Sequence, residues 1–515
     1  MAANVEALTQ QQELSMATSL QSSAPGAPDA GASLRLRGSM PLIFMLSRIC
    51  LGVLLAFVSV PEIWADGASP KAVQSVDPND FVQVRNGKFV LAGKPFVIRG
   101  TNYFGSWRYR HTIDVDDGTE HRIEWAFYHD WDSTKLDLDF RFIRSQLNAT
   151  SVRIGTPGME AFEPLVKFHH YQPWYDAQGQ ITEPYRTELI KMADIAYADG
   201  IRIQFTLIWN LKREIAKDPD SFKAGGTMDR LYANQVTSIV AALHNHPGVI
   251  GYSIGNEVLV EFEINGKHPS SYEGIAAGFI MRRLKEVRAA APLQLVTLDE
   301  GGNGQNKWWA PEMAFVMLPD VDAGNGRESI RLADHVDYLG THFYPETLEM
   351  EDLSGGFAGK VADARQKLAS YMQVARKFGK PVVLSEIGLR VAPMTLPPNQ
   401  YSAYRDQFWQ AMMAESQSQG LQGVLAWAAI PDVELVPGQY VFKGSAVNEK
   451  SRVELDLNGP DHTQRRLLMV HPEWYLFEWR GDAALPPVPT PAAAAIASAW
   501  ADIPPPPLPA QIVRP

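Results

Sequence analysis

Two carboxylates in this sequence stand where a carboxylate is hard to keep. Glu257 follows the apolar run Val249 to Ile254 after only Gly255 and Asn256, and Glu386 closes the run Pro381-Val382-Val383-Leu384-Ser385. An ionised group at the end of a buried strand loses its hydration, so it persists only where it is paired or put to use. The use open to two such groups is to give or take a proton at one atom while attacking another. Other runs of the same kind also end in polar or aromatic residues. Arg153 lies in Val152-Arg153-Ile154, and further runs finish in Trp209-Asn210, Asp299-Glu300, His342-Phe343-Tyr344 and Trp427. Taken singly, Arg153 reads equally well as a structural ion pair, His342 as a satisfied core histidine, and Trp209 and Trp427 as plugs. Their succession at strand ends is what argues for one shared site.

That site needs a scaffold that brings strand ends together. The β-branched runs are Pro95 to Gly100, Thr150 to Ile154, Ile201 to Ile208, Val249 to Ile254, Leu293 to Leu298, Val336 to Phe343, Pro381 to Ile387 and Gly423 to Trp427. Between them apolar residues recur at helical spacing, as in Phe140, Ile143 and Leu147 or Val236, Ile239, Val240 and Leu243. Gly200 and Gly379 close two of these helices just before the next strand. Runs without polar alternation are strands covered on both faces, and eight such units predict a (β/α)8 TIM barrel with long loops at its C-terminal face, where barrel sites lie. An open doubly wound sheet is the rival, but no G-x-G-x-x-G follows the first strand. Asn86-Gly87 between two alternating runs predicts an N-terminal hairpin.

Composition narrows the chemistry. The chain has 515 residues, with 47 Lys plus Arg against 58 Asp plus Glu, a net charge of -11. That balance disfavours a nucleic-acid backbone as partner and suits a neutral substrate. Thirteen Trp and seventeen Tyr offer flat apolar faces with polar handles of the sort that stack on sugar rings. The single Cys50 excludes an internal disulfide and a thiolate metal cluster. No metal or cofactor is called for, and no obligate protein partner is evident.

The two ends read differently from the body. Residues 1–65 read as a disordered extension followed by a signal peptide: Arg48 precedes the apolar run Ile49 to Val60, and cleavage after Ala65 is expected. Met40 or Met45 then becomes the expected start of the precursor. Export to the periplasm or outside the cell follows, and anchoring in a membrane through residues 41–60 is the alternative, disfavoured because about twenty apolar residues are needed to span one. Residues 66–482 hold the barrel. Residues 483–515, rich in Pro and Ala with Pro504 to Pro507 consecutive, read as a tail without a core.

The ordered motifs resemble those of glycoside hydrolase family 5 and its clan of retaining barrel glycosidases, over about residues 80–480. Ser253-Ile254-Gly255-Asn256-Glu257 is similar to the acid/base motif after strand four, and Pro381 to Gly388 to the nucleophile motif on strand seven. Arg153, His342, Tyr344 and Trp427 match the remaining site positions. The family's usual histidine after strand three is replaced by Trp209-Asn210, which leans toward the β-mannanase branch. The resemblance implies a retaining hydrolase of β-linked polysaccharide or oligosaccharide, with an endo-β-1,4-mannanase as the leading reading. An endoglucanase or exo-acting β-glycosidase, or a sugar-binding barrel without catalysis, are the alternatives. Glu386 would be the nucleophile and Glu257 the acid/base, about 5 to 5.5 Å apart. Asn256 would bind the 2-hydroxyl, Arg153 and Tyr344 would keep Glu386 ionised, and His342, Trp427, Trp209 and Asn210 would line the subsite. Trp308 and Trp309, on the loop after strand five, are candidates for a stacking platform, and Glu300 is a spare carboxylate that could touch sugar.

Overall fold

The structure, a computed structural model, describes residues 77–106, 128, 131–157, 174–209, 211–265, 269–301, 318–319, 329–330, 332–344, 356–388, 398–427, 476–478 and 486–509. Gln74–Pro515 forms one compact unit. The expected leader, its start residues and the alternative anchor at residues 41–60 lie outside the described residues. Among the described residues no helix is long and apolar enough to cross a membrane.

The chain opens with β1 (Gln83–Arg85), β2 (Lys88–Leu91) and β3 (Lys94–Pro95), a small antiparallel sheet. Asn86 and Gly87 both take positive φ, 52° and 70°, as the two-residue turn requires. The hairpin carries Val82, Phe89, Leu91 and Phe96 into a cluster with Ile98, Ile250, Leu295, Tyr338, Val383 and Leu425. Most of these partners sit near the starts of the barrel strands, so the hairpin closes the end of the barrel opposite the strand C-termini.

Eight parallel strands then close on themselves: β4 (Ile98–Asn102), β5 (Ser151–Gly155), β6 (Arg202–Thr206), β7 (Val249–Asn256), β8 (Leu295–Glu300), β11 (Leu339–Phe343), β12 (Val382–Ile387) and β13 (Gly423–Ala426). The short pair β9 (Leu318–Pro319) and β10 (Ser329–Ile330) is antiparallel and separate. Helices α1 (Ser133–Leu147), α2 (Glu183–Ala198), α3 (Lys212–Lys217), α4 (Thr227–Leu243), α5 (Val258–Asn265), α6 (Pro269–Ala290), α7 (Gly356–Ala375) and α8 (Pro398–Gln419) alternate with the strands. The (β/α)8 expectation is met, and apolar stripes such as Leu136, Phe140, Ile143 and Leu147 of α1 are buried against the barrel wall. Asp132 starts α1 by accepting the Thr134 and Lys135 amides, at 2.8 and 3.2 Å.

One strand boundary differs from expectation with a consequence for the site. The first barrel strand runs to Asn102, not Gly100, because Thr101 and Asn102 still pair with Val152 and Arg153 of β5. Register shifts fall between Ser253 and Asn256, Thr341 and His342, and Leu384 and Ile387. Each lies beside an expected site residue, where a bulge re-aims a side chain.

The expected coreless tail is overturned for residues 486–509. Strand β14 (Phe477–Glu478) pairs with β15 (Val488–Pro489), and helix α9 (Pro491–Ser498) follows. Thr490 caps that helix through the Ala493 amide at 3.3 Å, and Pro491 takes the first helical position. Ala492, Ala493 and Ile496 are fully buried, with Ala499 and Trp500 nearly so. Arg99 donates to Ala499 O and Trp500 O, Asn148 Nδ2 to Ala497 O at 3.1 Å, and Arg144 to Pro506 O at 2.6 Å. Composition misled here because alanine is the strongest helix former and its small side chain allows close packing on neighbouring helices.

Candidate active site

Arg153 projects from β5 at the centre of the barrel mouth and is 1% exposed. Its guanidinium donates in four directions: Nε to Asp299 Oδ2 at 2.9 Å, Nη1 to Glu386 Oε1 at 2.7 Å and Asn102 Oδ1 at 2.8 Å, and Nη2 to Asn256 Oδ1 at 2.8 Å. It also lies over the Trp209 ring, 5.1 Å from its centroid, a favourable placement for a desolvated cation. Burial works against its charge, but Asp299 and Glu386 outweigh burial and push its pKa up.

Glu386, at the end of β12, is almost fully buried. Besides Arg153 on Oε1, it accepts Tyr344 Oη on Oε2 at 2.9 Å. Burial pushes the Glu386 carboxyl above its ordinary value, His342 and Arg153 pull it back, Glu257 pushes it up, and the Tyr344 hydroxyl lowers it. Each donor therefore offsets a cost that burial imposes on the charged form. Tyr344 is itself driven well above its ordinary range, by burial first and Glu386 second, so it stays a phenol and donates.

His342 joins the two glutamates. Its ring is fully buried; Nδ1 lies 2.8 Å from Glu257 Oε1, and Nε2 lies 3.3 Å from Glu386 Oε1 without hydrogen-bond geometry. One imidazole touches both carboxylates, so they face each other across the width of a single ring. They are unequally wet: the Glu257 side chain is 31% exposed and that of Glu386 6%. Glu257 has φ +51°, a left-handed conformation that costs an L residue about 1–2 kcal/mol and that typically persists at functional sites.

Above this core Trp209 and Trp427 lie nearly parallel, 7° apart with centroids 6.4 Å apart. Phe104 meets both edge-on, at 6.3 and 4.7 Å. The structure thus gathers Arg153, Asn256, Glu257, His342, Tyr344, Glu386, Trp209 and Trp427 at one barrel mouth. Glu300 stands one residue beyond Asp299, buried behind Glu257. Asn210, Trp308 and Trp309 lie outside the described residues.

Two partners of the site, Asn102 and Gln204, escape a reading of strand ends, and a third, Asp299, stands at a strand end that by itself gave it no role. Asn102 fixes Arg153 through Oδ1, while its Nδ2 donates to Ser385 O at 2.9 Å and to the carbonyls of Leu425 and Ala426. Ending the first strand two residues early hid it. Asp299 is the buried counter-ion of Arg153; it also accepts Gln204 Nε2 at 2.7 Å, and Tyr338 Oη donates to Gln204 Oε1 at 2.9 Å. Room for Asp299 comes from Gly340, where a Cβ would stand 2.0 Å from Asp299 Oδ1. Gln204 gave no sequence signal beyond a polar residue in mid-strand. Among the described residues no cluster of His, Cys, Asp and Glu could hold a metal ion.

A family described as GH family 5 beta-mannosidase-like matches residues 325–440. No curated protein matches the chain by sequence. Among solved structures, the chain is similar to an endo-1,4-beta-mannanase from Rhizomucor miehei, with 16% identity over 67% of this chain and 90% of that one and a TM-score of 0.45. It is also similar to a glycoside hydrolase family 5 mannosidase from the same organism, with 14% identity over 83% and 100% and a TM-score of 0.49. A beta-1,4-mannanase from the sea hare Aplysia kurodai gives 14% identity over 67% and 92% and a TM-score of 0.42. The matched segment spans the strands that bear His342 and Glu386, two of the eight that close the barrel.

Proposed function

We propose that this chain is a glycosidase of the family 5 type that hydrolyses β-mannosidic bonds with retention of configuration, using Glu386 as nucleophile and Glu257 as acid/base. The observation that carries the reading is the placement of Glu386: one donor on each oxygen, Arg153 and Tyr344, with His342 between it and Glu257. In the first step Glu386 forms a bond to the anomeric carbon as the glycosidic C–O bond breaks, and Glu257 gives its proton to the leaving oxygen. In the second, water passes a proton to Glu257, attacks the anomeric carbon and frees Glu386. The wetter Glu257 suits exchange with leaving group and water, while the buried, donor-held Glu386 suits attack along one line. Asn256, turned by Arg153, is the partner for the sugar 2-hydroxyl, and Trp209 with Trp427 forms the floor on which a ring stacks.

Mannose as the sugar is supported by the beta-mannosidase-like description of the matched family and by Trp209 after strand three. That description favours a terminal mannose over the endo action to which the motifs lean. A panel of β-mannan, manno-oligosaccharides, β-1,4-glucan and aryl β-mannosides and β-glucosides tests the sugar and the mode together. Release of mannose alone marks an exo enzyme, mixed oligosaccharides mark an endo enzyme, and preference for glucosides overturns the choice of sugar. Retention is tested by following the first-formed anomer by NMR, and an inverted product would sink the mechanism. Export by cleavage after Ala65 belongs to the same proposal and is tested by N-terminal sequencing of the native protein.

A further inference from the structure

Glu257 is the point at which β7 turns into α5. Its N–H donates to Asp299 O at 2.8 Å, and its carbonyl accepts the first helical bond, from Glu261 N at 2.9 Å. It therefore holds the N-cap position, where a side-chain oxygen ordinarily accepts from the second or third helical amide. Here Oε1 of Glu257 goes to His342, and the second amide, Leu259 N–H, donates to Glu300 Oε1 at 3.0 Å. Glu300 comes from the end of the adjacent strand β8 and is 2% exposed. Its neighbour Gly301 is equally close: a Cβ there would stand 3.0 Å from both Glu257 Oε1 and Val260 Cγ2. A second carboxylate of the helix, Glu261, accepts the Leu211 amide and ties α5 to the segment after Trp209.

We infer that Glu300 is a positioning residue that caps α5 in place of Glu257, which frees the Glu257 carboxyl for the cleft and fixes its strained backbone there. Helix ends leave their first amides without intrahelical partners, and a buried end needs an acceptor from elsewhere. Because the residue at the cap must reach the substrate, that acceptor comes from the next strand. Burial pushes the Glu300 carboxyl well above its ordinary range, and the Leu259 amide pulls it back. Acceptance by Oε1 needs only a carbonyl-like oxygen, so a glutamine serves in its place.

The inference rests on Glu257 being the acid/base, and the test separates the two. Glu300→Ala, Glu300→Gln, Glu257→Ala and wild type are assayed on phenyl and 2,4-dinitrophenyl glycosides of the sugar that the wild type cleaves fastest. Dinitrophenolate leaves without a proton, so a misplaced acid shows only on the phenyl substrate when the reading is kcat/KM, which reports the first step alone; kcat also carries the second step, in which Glu257 is the base for either substrate. For Glu300→Ala, kcat/KM is expected to fall about 10²-fold on the phenyl glycoside and by less than about threefold on the dinitrophenyl one, with Glu300→Gln recovering most of the loss. Equal loss on both substrates, or no loss, overturns the inference. If Glu257→Ala itself loses equally on both, the acid/base assignment falls with it. If only Glu257→Ala is selective, the inference alone fails. Hydrogen exchange of residues 258–265 gives a readout without turnover: faster exchange in Glu300→Ala but not in Glu300→Gln is expected, and unchanged exchange overturns the capping role.

Discussion

Replacing Arg153 tests the electrostatic core of the site, because one buried cation there serves two buried carboxylates. Arg153→Met keeps much of the volume and removes all four donated bonds, to Asp299, Glu386, Asn102 and Asn256. Two consequences follow at different scales. Asp299 and Glu386 are left as buried carboxylates without their cation, and breaking a buried pair in this way costs about 3–5 kcal/mol of stability. Glu386 also loses a charge-assisted bond that favours its ionised form, worth about 1.5–3 kcal/mol, and at about 1.4 kcal/mol per pKa unit its pKa rises by about one to two units. The sign is fixed by the direction already present: burial has raised the Glu386 pKa, so its charged form is the costly one. Stability tied to Glu386 is then full below the unfolded pKa and falls as pH rises through the folded one, a window that Arg153→Met widens upward. In activity, the acidic limb of kcat/KM moves to higher pH by the same one to two units. The assay is a pH profile of kcat/KM beside urea unfolding at each pH. Should Arg153→Met not fold, Arg153→Lys, which keeps a charge but cannot reach four partners, is expected to show a smaller shift of the same sign. An acidic limb that stays in place in a folded variant would refute the argument.

The remaining predictions use the same contacts. Tyr344→Phe removes the donor to Glu386 Oε2; kcat/KM is expected to fall about 10- to 100-fold, as for a hydrogen bond to a charged group, with the acidic limb again moving up, and an unmoved limb with full activity contradicts it. Asn102→Ala frees one face of Arg153 and leaves the carbonyls of Ser385, Leu425 and Ala426 without their amide donor; a loss of about 1–3 kcal/mol in urea unfolding is expected. A chain ending at residue 485 uncovers the surface under Ile496 and Trp500 and leaves Arg99 without two carbonyls; burial of two large side chains at about 1.5–3 kcal/mol each makes a drop of several kcal/mol the expected result, and unchanged unfolding would return residues 486–509 to the status of a tail.

The barrel was legible because its signals are local. Apolar runs without polar alternation mark strands covered on both faces, and helical spacing of residues such as Phe140, Ile143 and Leu147 marks the outer layer. The position of Glu257 and Glu386 after two such runs was equally legible, since the run itself makes the carboxylate expensive. The boundary of the first strand was not, because Thr101 and Asn102 continue the strand only by pairing with Val152 and Arg153. The docked C-terminal helix was hidden for a related reason: Ala-rich sequence is compatible with a tail, and only the surfaces of α1 and α8 turn it into a buried helix.

The sequence by itself therefore determined that Arg153, Glu257, His342, Glu386 and their strand-end neighbours reach the barrel mouth, because the direction of a barrel places every strand end on one face, though not that Asn102 and Gln204 join them. Which of those side chains touch was decided by tertiary structure alone. Nothing in the order of residues says that Arg153 divides its charge between Asp299 and Glu386, that His342 spans the two glutamates, or that Glu300 caps the helix that Glu257 begins. Those pairings depend on strand register and on the register shifts beside the site, and register is set by the packing of the whole barrel.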